Sequence, residues 1–263
     1  MTDPLTGSPL TGAPYPGAPV TYVEALDAGV ELRTSRWGLP DVVIALLISL
    51  FVPAFLVAGL LAAGLSSTGS VVLLASVMTP WLGFGLWPIL TTRFQGNGVK
   101  VDLGLSLRRS DLMWGVGGGV ACLVLGTVVS DLTEKVLGHP FDSAAGDALA
   151  KATVPTWVVV AFTVCATVGA PLFEELCFRG LVFASLAKSL ARRGVPPVPW
   201  ATFGSALLFA LIHLEPVRIP LLLAIGLVLS LLRARTGRIG ASIVAHAFNN
   251  SAALVLSVLM VIR

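Results

Sequence analysis

Apolar residues come in long blocks along this chain rather than in strand-like alternation. A helix needs about 20 mainly apolar residues to cross a bilayer. Seven stretches meet or approach that length: 41–64, 71–90, 111–130, 156–187, 199–213, 217–232 and 240–262. The fourth is the longest, and its second half turns mixed and amphipathic; the fifth is short. The pattern predicts an all-α fold, a polytopic integral membrane helical bundle of about seven transmembrane helices. Ahead of the blocks stand Pro4, Pro9, Pro14, Pro16 and Pro19 with interleaved glycines. Such composition opposes helix and core formation, so residues 1–36 are expected to form a disordered Pro/Gly-rich cytoplasmic tail. The first long apolar run begins only near Asp41, too far into the chain for a signal sequence.

Composition agrees with a membrane protein. Of 263 residues, 56% are hydrophobic and only 12% charged, whereas soluble domains carry roughly 25% charge. The net charge of +3 is spread over loops, which gives no support to nucleic-acid binding. Basic residues recur in alternate loops. Arg93, Lys100, Arg108 and Arg109 fall in 91–110, Lys188, Arg192 and Arg193 follow the fourth block, and Arg233, Arg235 and Arg238 follow the sixth. The segment 131–155 instead holds Asp131, Glu134, Asp142 and Asp147 against two lysines. Basic loops stay cytoplasmic, so a multi-pass cell-membrane protein with its N-terminus inside and its C-terminus outside is expected.

Several features read as packing. Gly115, Gly117, Gly118 and Gly119 make a small-residue face for close helix contact. Residues 103–111 suit the cytoplasmic interface. Cys122, Cys165 and Cys177 have neither disulfide nor zinc-knuckle spacing, and Cys177 reads as a small packing residue rather than a nucleophile. The chain has no internal repeat, which weakens a transporter built from inverted halves.

The chemistry lies in polar residues inside apolar blocks. Residues 155–173 carry no charge and run into Glu174, Glu175 and Arg179. A charge at bilayer depth costs about 2.5–3.5 kcal/mol or more, which makes it a candidate functional group. Glu175 and Arg179 share a helix face and can pair, and such a pair needs no function to explain it. Glu174 points roughly 100° away and needs another partner. His213 lies four residues after Phe209, and Asn250 four residues after His246. Each alone fits an interfacial histidine or interhelical hydrogen bonding. Together, Glu174, His213, His246 and Asn250 supply a base, two imidazoles and an amide donor, the parts of a hydrolase. One geometric tension remains: by helical rise, His246 lies about 10 Å from the cytoplasmic loop before it and His213 nearer 20 Å, so the fifth helix is expected to tilt or to start later.

The motifs Glu174-Glu175-Leu-Cys-Phe-Arg179, Phe209-Ala-Leu-Ile-His213 and His246-Ala-Phe-Asn-Asn250 resemble, in order, those of the CPBP family of intramembrane proteases. That family includes the CAAX prenyl proteases and bacteriocin-processing (Abi) proteins. The resemblance covers about residues 155–256, a catalytic membrane domain following the N-terminal helices and loops of 37–154. It implies an endopeptidase acting on a membrane-associated protein or peptide. Glu174 would activate water with His213 as its partner, and His246 and Asn250 would bind a metal or form the oxyanion site. Glu175 and Arg179 would be a structural ion pair and Phe209 a supporting residue. The family has been described both as metalloproteases and as glutamate proteases. A Zn2+ ion on Glu174, His213 and His246 therefore stays open; no organic cofactor is implied. A catalytically silent immunity or scaffold protein of the same fold, and a proton-coupled transporter, are the competing classes. The oligomeric state is not legible.

Overall fold

The structure, a computed structural model, describes residues 14–141 and 143–261. Helix is the only regular element among them. In chain order they are α1 (Val20–Asp27), α2 (Leu39–Ala62), α3 (Ser70–Gln95), α4 (Val99–Leu103), α5 (Arg109–Leu137), α6 (Ala144–Lys151), α7 (Thr156–Arg192), α8 (Pro197–Ile212), α9 (Ile219–Thr236) and α10 (Gly240–Val261). Five are long and apolar enough to cross a membrane: α2, α3, α5, α7, and α9 with its leading turn from Pro216. The other two expected spans correspond to α8, which has only 16 residues, and α10, which is not among the five.

The outer surface explains why these helices belong in lipid. Phe55 on α2 is 73% exposed and Met113 on α5 is 80% exposed, in rows that include Leu47, Phe51, Val120 and Val124. Contiguous apolar surface on this scale is not left in water, while helices satisfy their own backbone groups and so tolerate hydrocarbon. Only 17% of the apolar window of α2 is buried, against 44% for the span ending at Thr236; α9 is thus central and α2 peripheral.

Small residues set the close contacts. A Cβ on Gly115 would lie 2.5 Å from Val244 Cβ, one on Gly118 2.5 Å from Leu232 Cδ1, and one on Gly119 2.6 Å from Phe248 Cδ1. This face of α5 therefore lies directly against α9 and α10. Gly117 faces elsewhere, with nothing within 4 Å of a Cβ.

Two expectations about the basic end of the bundle need correction. Residues 14–36 were expected to be disordered, but Val20–Asp27 is helical with Tyr22 and Thr21 buried. Leu32 is 2% exposed. The Val20 amide donates to the Gly237 carbonyl at 3.0 Å, the Thr21 hydroxyl to the Lys100 carbonyl at 2.7 Å, and Arg233 to the Gly17 carbonyl at 3.3 Å. Pro and Gly disfavour helix, yet they suit an extended path whose backbone groups are satisfied by neighbours. The expectation over residues 1–13, and the contribution of Asp142 to its loop, fall outside the described residues.

The segment 103–111 meets the surface only in part: residues 107–110 are exposed, while its two ends are buried. Leu103 is fully buried, and Asp111 accepts two bonds from Arg238, at 2.7 and 3.0 Å. Gly240 starts α10 beneath this segment: a Cβ there would sit 2.4 Å from the Ser106 carbonyl. Ile239, Ala241 and Ser242 are fully buried. The last helix therefore begins below the surface, capped by residues 103–111. A deeper start for α10 brings His246 closer to the level of His213. The fifth helix does not start later; it starts at Pro197, while α10 starts deeper.

Candidate active site

Glu174 and Glu175 sit where α7 changes its winding. The helix runs as π-helix over Cys165–Gly169 and again over Leu176–Val182, with α-helix between them. Single π turns inside α-helices recur at functional sites. The first has a local cause. Pro171 has no N–H, and the Ala170 amide bonds back to the Cys165 carbonyl in the five-residue pattern. In that pattern the Ala166 carbonyl would need the amide of residue 171. It is left free, and the Asn250 side chain donates to it at 3.0 Å. A proline in one helix thus positions the amide of another.

Glu175 and Arg179 are both fully buried and pair at 2.8 Å. A second Arg179 nitrogen donates to the Gly226 carbonyl on α9 at 2.9 Å, and the guanidinium lies 4.6 Å above the Phe209 ring. The same Glu175 oxygen that binds Arg179 also accepts from His246 Nδ1, at 2.9 Å. An ionised carboxylate only accepts, so Nδ1 carries the proton and the lone pair of Nε2 faces away from Glu175. Nε2 stands 3.8 Å from Glu174 Oε2, too far for a direct hydrogen bond. Two acceptors at that separation suit a donor between them, and a water with its two O–H groups satisfies both.

His213 caps α8. Its Nδ1 bonds the Phe209 carbonyl at 2.7 Å, which likewise leaves Nε2 as an acceptor. Phe209, 1% exposed, sits between the two imidazoles, with ring centroids 4.8 Å from His213 and 5.7 Å from His246. Its role is spacing: one ring fixes the distance between two histidines and receives the Arg179 cation.

Glu174, His213, His246 and Asn250 all line one cavity of about 350 Å³, with Asn249 and Phe209. Apolar walls come from Val77, Leu149, Phe162, Leu222 and Ile225. The partner set beside Glu174 is His246, where the motifs had suggested His213. The second bond of Glu175 was also missed, because sequence spacing reports only its i, i+4 neighbour; the π turn and its freed carbonyl were in principle legible from Pro171. Cys177 is fully buried and does not line the cavity.

The donors do not fit a zinc ion as arranged. Among the described residues no three His, Cys, Asp or Glu side chains converge to hold a metal, and a protein zinc site needs at least three such ligands.

Residues 155–252 match the family described as "Type II CAAX prenyl endopeptidase Rce1-like", in agreement with the resemblance carried by the three motifs. The Bacillus subtilis (strain 168) protein named "Putative membrane peptidase YdiL" is 25% identical over 162 residues, 61% of this chain and 60% of its own length. The chain thus spans about three fifths of that relative. No solved structure matches the chain significantly. Both matches support a protease role in a membrane.

Proposed function

We propose that the chain is an intramembrane endopeptidase that hydrolyses peptide bonds of a membrane-associated protein or peptide. The observation that carries the reading is the single cavity in which Glu174, His246, His213 and Asn250 meet from three helices. The Glu174 carboxylate takes a proton from water, and the resulting hydroxide attacks the peptide carbonyl carbon. Glu174, now protonated, delivers that proton to the leaving nitrogen as the C–N bond breaks. His246, with Nδ1 tied to Glu175, holds the water through Nε2. His213 presents a second acceptor to the same cavity. Asn250 has two amide hydrogens; one bonds Ala166, and the other is available to the oxyanion.

Buried charge is consistent with this assignment. Arg179 neutralises Glu175 in the fully buried layer, which leaves Glu174 as the carboxylate that faces the cavity.

The test is cleavage of peptide libraries by purified protein, wild type against Glu174→Gln. This change keeps shape and hydrogen bonding and removes basicity. The variant should fold normally and lose activity by about 10²-fold or more. Activity that survives the change rejects the mechanism and favours a silent scaffold of the same fold. Loss of activity on chelation, restored by zinc or cobalt, would show that a metal joins the site in a rearranged form.

A further inference from the structure

We infer that the site opens away from the basic end of the bundle, onto the extracytoplasmic side. Its substrate is then a peptide segment presented on that side, such as the juxtamembrane stretch of an exported or membrane-anchored chain. The inference rests on the peptidase reading and assigns it a side of the membrane.

The direction of each helix fixes the ends. α5 starts beside Arg108 and Arg109, α7 ends at Arg192, α9 ends beside Arg233 and Arg235, and α10 starts next to Arg238. These residues share one end of the bundle, and short loops rich in Lys and Arg remain cytoplasmic. The opposite end is formed by the α5–α7 connection, with α6, and by the turn between α8 and α9. The mouth of the cavity is built there, from Ser143, Ala145 and Gly146 on one side and Glu215 and Arg218 on the other. Ala145 and Gly146 are exposed. The Ala144 amide donates to Glu215 Oε1 at 3.3 Å, and Glu215 pairs with Arg218 at 2.5 Å. The two segments are therefore joined at the rim.

Toward the basic end the way is closed. Glu175, Phe178, Arg179 and Leu103 are fully buried and Arg233 is 1% exposed. Residues 14–19 are fastened over this layer through Arg233 and Gly237. Water, which the Glu174 base consumes in every turnover, reaches the carboxylate from the mouth and not through the plug. The apolar walls next to it accept an apolar side chain beside the scissile bond, while the Glu215–Arg218 pair leaves the rim without net charge. A tail confined to the cytoplasm does not reach this opening.

The experiment uses the full chain with its three cysteines replaced. Ala145→Cys and Ala148→Cys probe the mouth, and Arg193→Cys probes the basic end. A membrane-impermeant maleimide should label both mouth positions in intact cells, and Arg193→Cys only after permeabilisation. Labelling of the mouth positions only after permeabilisation overturns the inference, with no reference to catalysis. In a second arm, the unmodified protein in sealed vesicles meets an impermeant fluorogenic peptide that it cleaves in detergent. Right-side-out vesicles should cleave it without permeabilisation. Cleavage by inside-out vesicles alone overturns the side assignment and leaves the peptidase reading intact. Absence of any cleavage in detergent rejects the peptidase reading, and the labelling then decides the side by itself.

Discussion

Removing Arg179 should cost more than any other single truncation in the bundle. Its side chain pairs with Glu175 at 2.8 Å, donates to the Gly226 carbonyl at 2.9 Å and lies over Phe209. Arg179→Ala leaves a fully buried carboxylate with only the neutral donors His246 and Ser242 beside it. Breaking one side of a buried pair typically costs about 3–5 kcal/mol. A buried carbonyl stripped of its donor adds about 1–3 kcal/mol, and the lost cation–π contact up to about 2 kcal/mol. These overlap and do not sum, so about 3 kcal/mol is a floor. On the scale of soluble domains of comparable size, that lowers Tm by about 6–12 °C. The assay is thermal unfolding of purified protein in detergent, with expression level as a second readout. Arg179→Lys keeps the charge but presents a point donor in place of the two-pronged guanidinium, and should fall between wild type and Ala. The decisive variant is Glu175→Gln in the Arg179→Ala background. Removing the unpaired charge should raise Tm relative to Arg179→Ala alone. Wild-type melting for Arg179→Ala, or no recovery in the double variant, would refute the claim that desolvated charge governs this contact.

Three further outcomes are expected. Glu175→Gln keeps an amide oxygen toward both Arg179 and His246 Nδ1 but removes the negative charge that holds the imidazole in place, so kcat should drop by about 10-fold or more with KM little changed; a pure rise in KM would contradict a positioning role. Pro171→Ala restores an amide that competes with Asn250 for the Ala166 carbonyl. Peptidase activity should fall while Tm holds or rises, and full activity would show that the freed carbonyl does not position Asn250. Gly115→Ala should destabilise by about 1–3 kcal/mol through overpacking against Val244. Gly117→Ala, with open space around it, should be neutral or stabilising by up to about 1 kcal/mol; equal effects at both positions in a melting assay would disprove the assigned face of α5.

The sequence by itself determined the local and periodic features. Uninterrupted apolar blocks leave no alternative to helices in lipid, and the helix starts follow those blocks within about two residues, while some ends run five to seven residues further. The spacing of Glu175 and Arg179 encodes their pairing, because i, i+4 contact needs no knowledge of the rest of the chain. The order of the three motifs also marked out Glu174, His213, His246 and Asn250 as a set. Tertiary structure decided which of these touch. The Glu175–His246 bond joins residues 71 apart, and no periodicity reports which face of α10 turns toward α7. That phase depends on two π turns, on Pro171 and on how closely Gly115, Gly118 and Gly119 let α5 approach. The ordering of residues 14–36, anchored by buried Thr21, Tyr22 and Leu32, and the deep start of α10 were invisible for a related reason. Composition records the cost of ordering an isolated segment, whereas Arg233 and Gly237 offset that cost by satisfying backbone groups of Gly17 and Val20, and the Lys100 carbonyl by accepting from the Thr21 hydroxyl.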